Sequence, residues 1–285
     1  MKAVPVFYSP LMCADSESFS PSAAKPAAVI EAWGKMGVPM EIIAPETLTR
    51  EQFYKAHDKD FVDGILDLRL MNGFGNYSPA VAASLPYTSG SMFDAVLCAW
   101  DNGVAAVSPT SGFHHAGYDF AGGFCTFNGL MIAAMMCPTL DIGILDFDCH
   151  HGNGTVDIIG HFKMQDRITH YSFGKDKRNL SHRFLPNLAE IVKGFESCDV
   201  VIYQAGQDPH VDDPLGGYLT TEELFERDRI VFRTLREMGV PVAWNLAGGY
   251  TDPLSTVING HCNTMKAFAE FMLDDLTPAL AVDII

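Results

Sequence analysis

The sequence predicts an α/β protein: a single parallel sheet covered by helices in three αβα layers. Three observations predict it. Apolar, β-branched runs recur along the 285 residues with helical stretches between them, the alternation that strand-helix-strand units produce. One such unit is complete, from Val200-Val201-Ile202-Tyr203 through a capped helix to a returning strand at Pro241. Ligand-type residues follow the strand ends, where open α/β sheets gather their sites.

The elements follow in order. Residues 3–8 form a first strand, and helices are expected over 24–35, 90–100 and 129–137. Ile142-Gly143-Ile144-Leu145 is a buried strand, part of 165–173 is another, and 199–205 a third. A turn-rich loop, 206–217, leads to a helix whose start is marked by Thr220 and Glu223 at capping-box spacing. Leu224, Ile230, Val231 and Leu235 give that helix an apolar face, and Gly239 before Pro241 stops it. Residues 240–246 return as a strand, and 254–273 form the last helix. With no repeat, low-complexity tract or linker, residues 1–285 read as one domain.

Composition narrows the function. A formal charge of −16 offers nothing to neutralise phosphates, which argues against a nucleic-acid partner and suits a neutral or cationic substrate. The longest apolar run, 130–137, is far short of the ~20 residues a membrane span needs. The opening residues carry one positive charge and are broken by prolines, unlike a secretory leader, so a soluble cytoplasmic protein is expected. Seven widely spaced cysteines with no Cys-x-x-Cys pair speak against a disulfide framework or a thiolate zinc site. Most are expected to be buried small hydrophobes, Cys149 among them, facing away from its neighbours.

The run Asp146-Phe147-Asp148-Cys149-His150-His151-Gly152-Asn153-Gly154 carries the most chemistry. At the end of a buried strand, alternate side chains share a face, so Asp146, Asp148 and His150 point one way. Oxygen and nitrogen donors then gather where an open-sided divalent ion would sit. Three further loops supply comparable residues: Gly112-Phe113-His114-His115-Ala116-Gly117, the stretch from Gln207-Asp208 to Asp212-Asp213, and Ala247-Gly248-Gly249-Tyr250. Each has a bland reading. The carboxylates could form a hydrogen-bonded cluster without a metal, the His-His pair could be a satisfied loop, and Asp212 and Asp213 could be turn residues.

Taken in order, these motifs resemble the histone deacetylase family, in its bacterial deacetylase-like amidohydrolase and acetylpolyamine amidohydrolase branch. The matching pieces are His114-His115-Ala116 with Gly123-Phe124-Cys125, the signature at 146–155, Gly206-Gln207-Asp208 with Asp213-Pro214-Leu215-Gly216-Gly217, and Gly248-Gly249-Tyr250. Ala56-His57-Asp58 with Phe61-Val62 resembles an earlier family segment more loosely. The resemblance implies an arginase-related sheet of about eight strands. It also implies zinc-dependent hydrolysis of an acetyl or short acyl amide, releasing an amine such as lysine or a polyamine. Asp148, His150 and Asp208 would hold Zn²⁺, with Fe²⁺ as an alternative. His115 would be the general base, supported by Asn153. His114, bonded to Asp146, would act electrostatically, and Tyr250 would donate to the oxyanion. Phe124, Gly123 and Gly249 would line the substrate channel.

Departures from the family pattern bear on two features. The family's Ser-x-His segment, which helps hold K⁺, falls at Ile168-Thr169-His170 without its serine, and no Phe-Pro-Gly-Thr-Gly segment supplies a second aromatic wall after residue 173. Two rival functions remain: an arginase-like dimanganese ureohydrolase, and a catalytically silent protein that binds a metal or acyl ligand. A homo-oligomer is left open.

Overall fold

The computed structural model describes residues 2–176 and 184–276. Seven strands make one sheet: β1 (Val4–Phe7), β2 (Met40–Ile43), β3 (Ala105–Ser108), β4 (Ile142–Asp146), β5 (Ile168–Ser172), β6 (Val200–Gln204) and β7 (Val242–Asn245). Their order is β2-β1-β3-β7-β6-β4-β5, with every pairing parallel. The described residues thus supply seven strands where about eight were implied. The helices are α1 (Lys25–Gly34), α2 (Arg50–Phe53), α3 (Lys59–Leu66), α4 (Pro79–Asn102), α5 (Gly129–Met136), α6 (Asn153–Phe162), α7 (Phe173–Asp176), α8 (Phe184–Lys193), α9 (Thr221–Met238) and α10 (Ser255–Met272).

Successive strand side chains face opposite ways, so the sheet feeds two cores. Val6, Val107, Leu145, Tyr203 and Trp244 meet Trp33, Leu188, Phe232 and Phe268 of α1, α8, α9 and α10. Ile144, Ile202 and Ala243 meet Val62, Val96, Ile132 and Ile158 of α3, α4, α5 and α6. Burial on both faces explains why the central strands are continuous apolar runs without alternation.

α9 begins as its sequence indicates: Thr220 Oγ1 accepts from Glu223 N at 3.3 Å, and Glu223 Oε2 from Thr220 N at 2.8 Å. α4 differs. It starts at Pro79, with Ser78 capping it, and runs through Pro86 to Asn102, whereas the expected helix spanned only 90–100. β2 and β3 were not legible either, the first because it is a half-exposed edge, the second because Ala-Ala-Val-Ser carries little strand signal. Among the described residues no helix is long and apolar enough to cross a membrane.

Trp244 is fully buried, 5.4 Å from Trp33 between ring centroids, and it also touches Phe232 and Phe268. Trp244→Ala is expected to destabilise the fold by about 3–5 kcal/mol, read as a lowered urea midpoint with an unchanged slope.

Candidate active site

The four strands β3, β7, β6 and β4 are neighbours in the sheet, and their last residues pair across it as Ser108, Asn245, Gln204 and Asp146. The loops that follow therefore leave from one row and meet above it. Those loops are the four that carry the ligand-type residues.

Asp146 closes β4, is fully buried, and is the hub of the row. Its Oδ1 accepts from Asp148 N and from Gln204 Nε2, both at 3.1 Å, and its Oδ2 lies 2.8 Å from His114 Nδ1. From Asp148 the chain bends, and Asp148 Oδ1 accepts from His150 N at 2.9 Å. His150 Nδ1 then sits 3.0 Å from Asp148 Oδ1 and 2.9 Å from Asp208 Oδ2. Asp148 and Asp208 are both buried. Burial opposes ionisation of each. Protonated His114 and the His150 contact nevertheless hold Asp148 below the usual carboxylate range, while Asp208, beside it, is pushed up. Two adjacent buried carboxylates with an imidazole between them are a donor set that a divalent cation fits, because it neutralises both charges at once.

The two adjacent histidines are set apart by their surroundings. Burial lowers the pKa of His114, but Asp146 and Asp148 outweigh it and raise the value to about 9. His115 is lowered to about 4, by burial first and then by the charge on His114. Its Nδ1 lies 2.6 Å from Asn153 Oδ1. An amide oxygen only accepts, so Nδ1 keeps its proton and Nε2 presents a lone pair. Tyr250 is held at its amide, which donates to Asp213 Oδ2 at 2.7 Å, and at its hydroxyl, which bonds Ser22. Burial raises the phenol well above its ordinary pKa.

Phe124 adopts a left-handed φ of 63° and lies 5.5 Å from Tyr250 between ring centroids. The aromatic neighbours that sequence could not locate are Phe19, edge-on to Phe124 at 5.3 Å, and Phe74 at 5.9 Å. The loop around Asn72 is therefore a wall of the site: Gly73 O accepts from Phe124 N, and Asn76 Nδ2 donates to Ser16 O in the segment bearing Phe19. Gly123 backs onto the His115 ring, and Gly249 onto Val257 and Gln207.

Two expectations need correction. Cys149 does not turn away from its neighbours: its Sγ lies 3.0 Å from Asp208 Oδ2 and 3.3 Å from His150 Nδ1. β4 ends at Asp146, so strand alternation stops governing the side chains that follow. The residue opposite Asp146 on β5 is Ser172, whose Oγ accepts from Gly152 N at 3.0 Å, and not Thr169. Asp213 is a turn residue, accepting from Leu215 N, and also the anchor of Tyr250. His182 lies outside the described residues.

Several supporting groups take roles that the sequence did not assign. Lys25, wholly buried in the first turn of α1, donates to Gly248 O; burial lowers its pKa to about 7 against the pull of Asp208 and Asp148. Arg227 is buried too, paired with Asp228, and donates to Gly206 O at 2.7 Å and Phe147 O at 3.4 Å, the carbonyls leading into both ligand loops. His57 holds the histidine loop, with Nδ1 at 2.8 Å from Gly117 O and Nε2 accepting from Asn128 N.

The architecture is shared with solved deacetylase-fold structures. The HDA15 HD domain superposes with a TM-score of 0.72 at 20% identity, over 99% of this chain and 92% of that one. An acetylpolyamine aminohydrolase from Burkholderia pseudomallei gives 0.72 at 16%, over 94% and 99%. Residues 21–180 match the histone deacetylase domain, and the chain belongs to the histone deacetylase family. It is 28% identical over 256 residues to an uncharacterised protein of Picosynechococcus, covering 78% of this chain and 83% of that one. It is 30% identical over 174 residues to the acetylpolyamine amidohydrolase of Mycoplana ramosa, covering 49% of this chain and 50% of the relative. The chain thus spans about half the length of that enzyme.

Gly248, at φ 50°, leaves no room for a side chain: a Cβ there would overlap the Asp208 carboxylate and stand 2.9 Å from Asp148 Oδ2. Gly248→Ala is expected to weaken divalent-metal binding by at least ~10-fold, measured by chelator competition, while the circular dichroism spectrum stays unchanged.

Proposed function

We propose that this protein hydrolyses an acetyl or other short acyl amide of a linear amine, with Zn²⁺, or alternatively Fe²⁺, held by Asp148, His150 and Asp208. The observation that carries the reading is a neutral His115, its Nδ1 fixed on Asn153, beside a cluster of donors that all lie within 4.8 Å of one another. When bound, the ion supplies Lewis acidity to the amide carbonyl and to the attacking water.

The protein's own groups do the rest. His115 Nε2 takes the proton of the water and returns it to the leaving nitrogen. His114, kept charged by Asp146, offers a fixed positive field to the negative charge that develops. Tyr250, whose phenol stays protonated, donates to the oxyanion. Phe124, Phe19 and Phe74 exclude water from an extended acyl-amine chain. The charge of −16 favours amines with additional positive charge, such as polyamines or lysine-rich peptides. Backbone carbonyls near Asp146 and the Ser172 hydroxyl are the groups that would hold K⁺. A dimanganese ureohydrolase would need a second ligand set, and the described residues gather such donors in one cluster.

Hydrolysis is to be measured on acetylpolyamines, acetyl-lysine peptides and longer acyl amides, before and after metal removal. Tyr250→Phe and His115→Ala are each expected to lower kcat/KM by about 10²–10³; undiminished turnover in both would overturn the reading. The pH profile adds a second check. Because the pKa of His115 is depressed, the neutral base persists until pH falls towards about 4. Asn153→Asp sets a carboxylate against its ring, favours the imidazolium, and is expected to move the acid limb of kcat/KM up by roughly one to three pH units.

A further inference from the structure

We propose that Ser22 is the positioning residue of Tyr250: with Ser20 behind it, its hydroxyl donates to the phenol oxygen, so that the phenol's own hydrogen is left for the acyl oxygen. The inference rests on the oxyanion role given to Tyr250 above and adds the group that aims it.

The segment before α1 brings its hydroxyls inward by alternation. Ser16, Ser20 and Ser22 are buried, whereas Asp15, Glu17 and Phe19 between them are exposed. Extended chain puts alternate residues on opposite sides, so one side of this segment is lined with serine while the other faces solvent. The segment ends in a turn where Ala24 N and Lys25 N both donate to Pro21 O, at 3.0 and 2.8 Å. That turn fixes Ser22 relative to Lys25, which donates to Gly248 O. Residues 22–25 therefore meet the Gly248-Gly249-Tyr250 loop at two points, the carbonyl of Gly248 and the hydroxyl of Tyr250. From elsewhere in the fold, Asp213 accepts from the Tyr250 amide. The ring is thus held at both ends, and only its hydroxyl hydrogen is left to be directed.

The hydrogens of the serine pair run in one order. Ser22 N donates to Ser20 Oγ at 3.4 Å, and Ser20 Oγ donates to Ser22 Oγ at 3.0 Å. Having accepted there, Ser22 Oγ has its single hydrogen for the Tyr250 oxygen. Two hydrogens cannot lie on one oxygen–oxygen line, so the phenolic hydrogen is turned away from Ser22. Each donated bond also polarises the next, which makes the phenol a stronger donor. No covalent bond changes: Tyr250 keeps its proton and offers it as a hydrogen bond. Without the Ser22 hydroxyl, that hydrogen is free to rotate out of the productive direction. The loss then falls on the transition state, where the oxygen carries most charge, and spares ground-state binding.

A double-mutant cycle on the full-length, zinc-loaded protein tests this, with acetylputrescine and an acetyl-lysine peptide as substrates. Ser22→Ala is expected to lower kcat about 10-fold with KM unchanged, and Ser20→Ala about 3-fold. In the Tyr250→Phe background, where no hydroxyl is left to aim, either serine substitution is expected to change kcat by less than about 2-fold. Equal losses in the two backgrounds would mean that the serines only support their segment, and would overturn the proposal. So would an undiminished kcat in Ser22→Ala. Full activity in Tyr250→Phe would instead sink the oxyanion role on which the proposal rests, and a wild type that turns over neither substrate would sink the hydrolase reading itself.

Discussion

The structure is organised around two carboxylates, Asp148 and Asp208, held together away from water. Two unit charges ~4 Å apart repel by about 4 kcal/mol at the effective dielectric near 20 that suits protein sites. A fold tolerates such a pair only by surrounding it with compensation. His150 sits between the two oxygens, Cys149 N donates to Asp208 Oδ1 at 3.2 Å, and buried Lys25 adds its positive field. Arg227 fixes the carbonyls that lead into both loops. What remains uncompensated is the charge a divalent cation would supply.

The same economy separates the two neighbouring histidines. They are adjacent in sequence and their rings lie 4.0 Å apart, yet one is drawn towards the charged form and the other towards the neutral. The difference lies in their partners. His114 faces a carboxylate, whereas His115 faces an amide that orients the ring without stabilising its charge. Two imidazoles of opposite protonation preference thus arise from one dipeptide, because β4 and α6 present different side chains to the two rings.

Much of this was legible in the sequence where residues close in the chain act together. The apolar strands, the capping box at Thr220 and the ligand-bearing loops all announce themselves locally. Two kinds of feature did not. Supports that arrive from distant segments, such as Ser22, Lys25 and Arg227, have meaning only through what they touch. Cys149 was misjudged because period-two alternation was carried beyond Asp146, where the strand stops and the chain bends. β2 and β3 escaped notice because a half-exposed edge and an alanine-rich strand lack the β-branched pattern.

Room for change is distributed unevenly around this centre. At Gly216 a single added carbon would collide with the Asp208 carbonyl, as one at Gly248 would with its carboxylate. The rim is of another kind: Phe19 is 76% exposed on a segment tied to its surroundings by a few hydrogen bonds. Inherited variation can therefore accumulate at the mouth while the interior stays fixed, so descendants of this chain would diverge in the molecules they admit long before they diverge in chemistry.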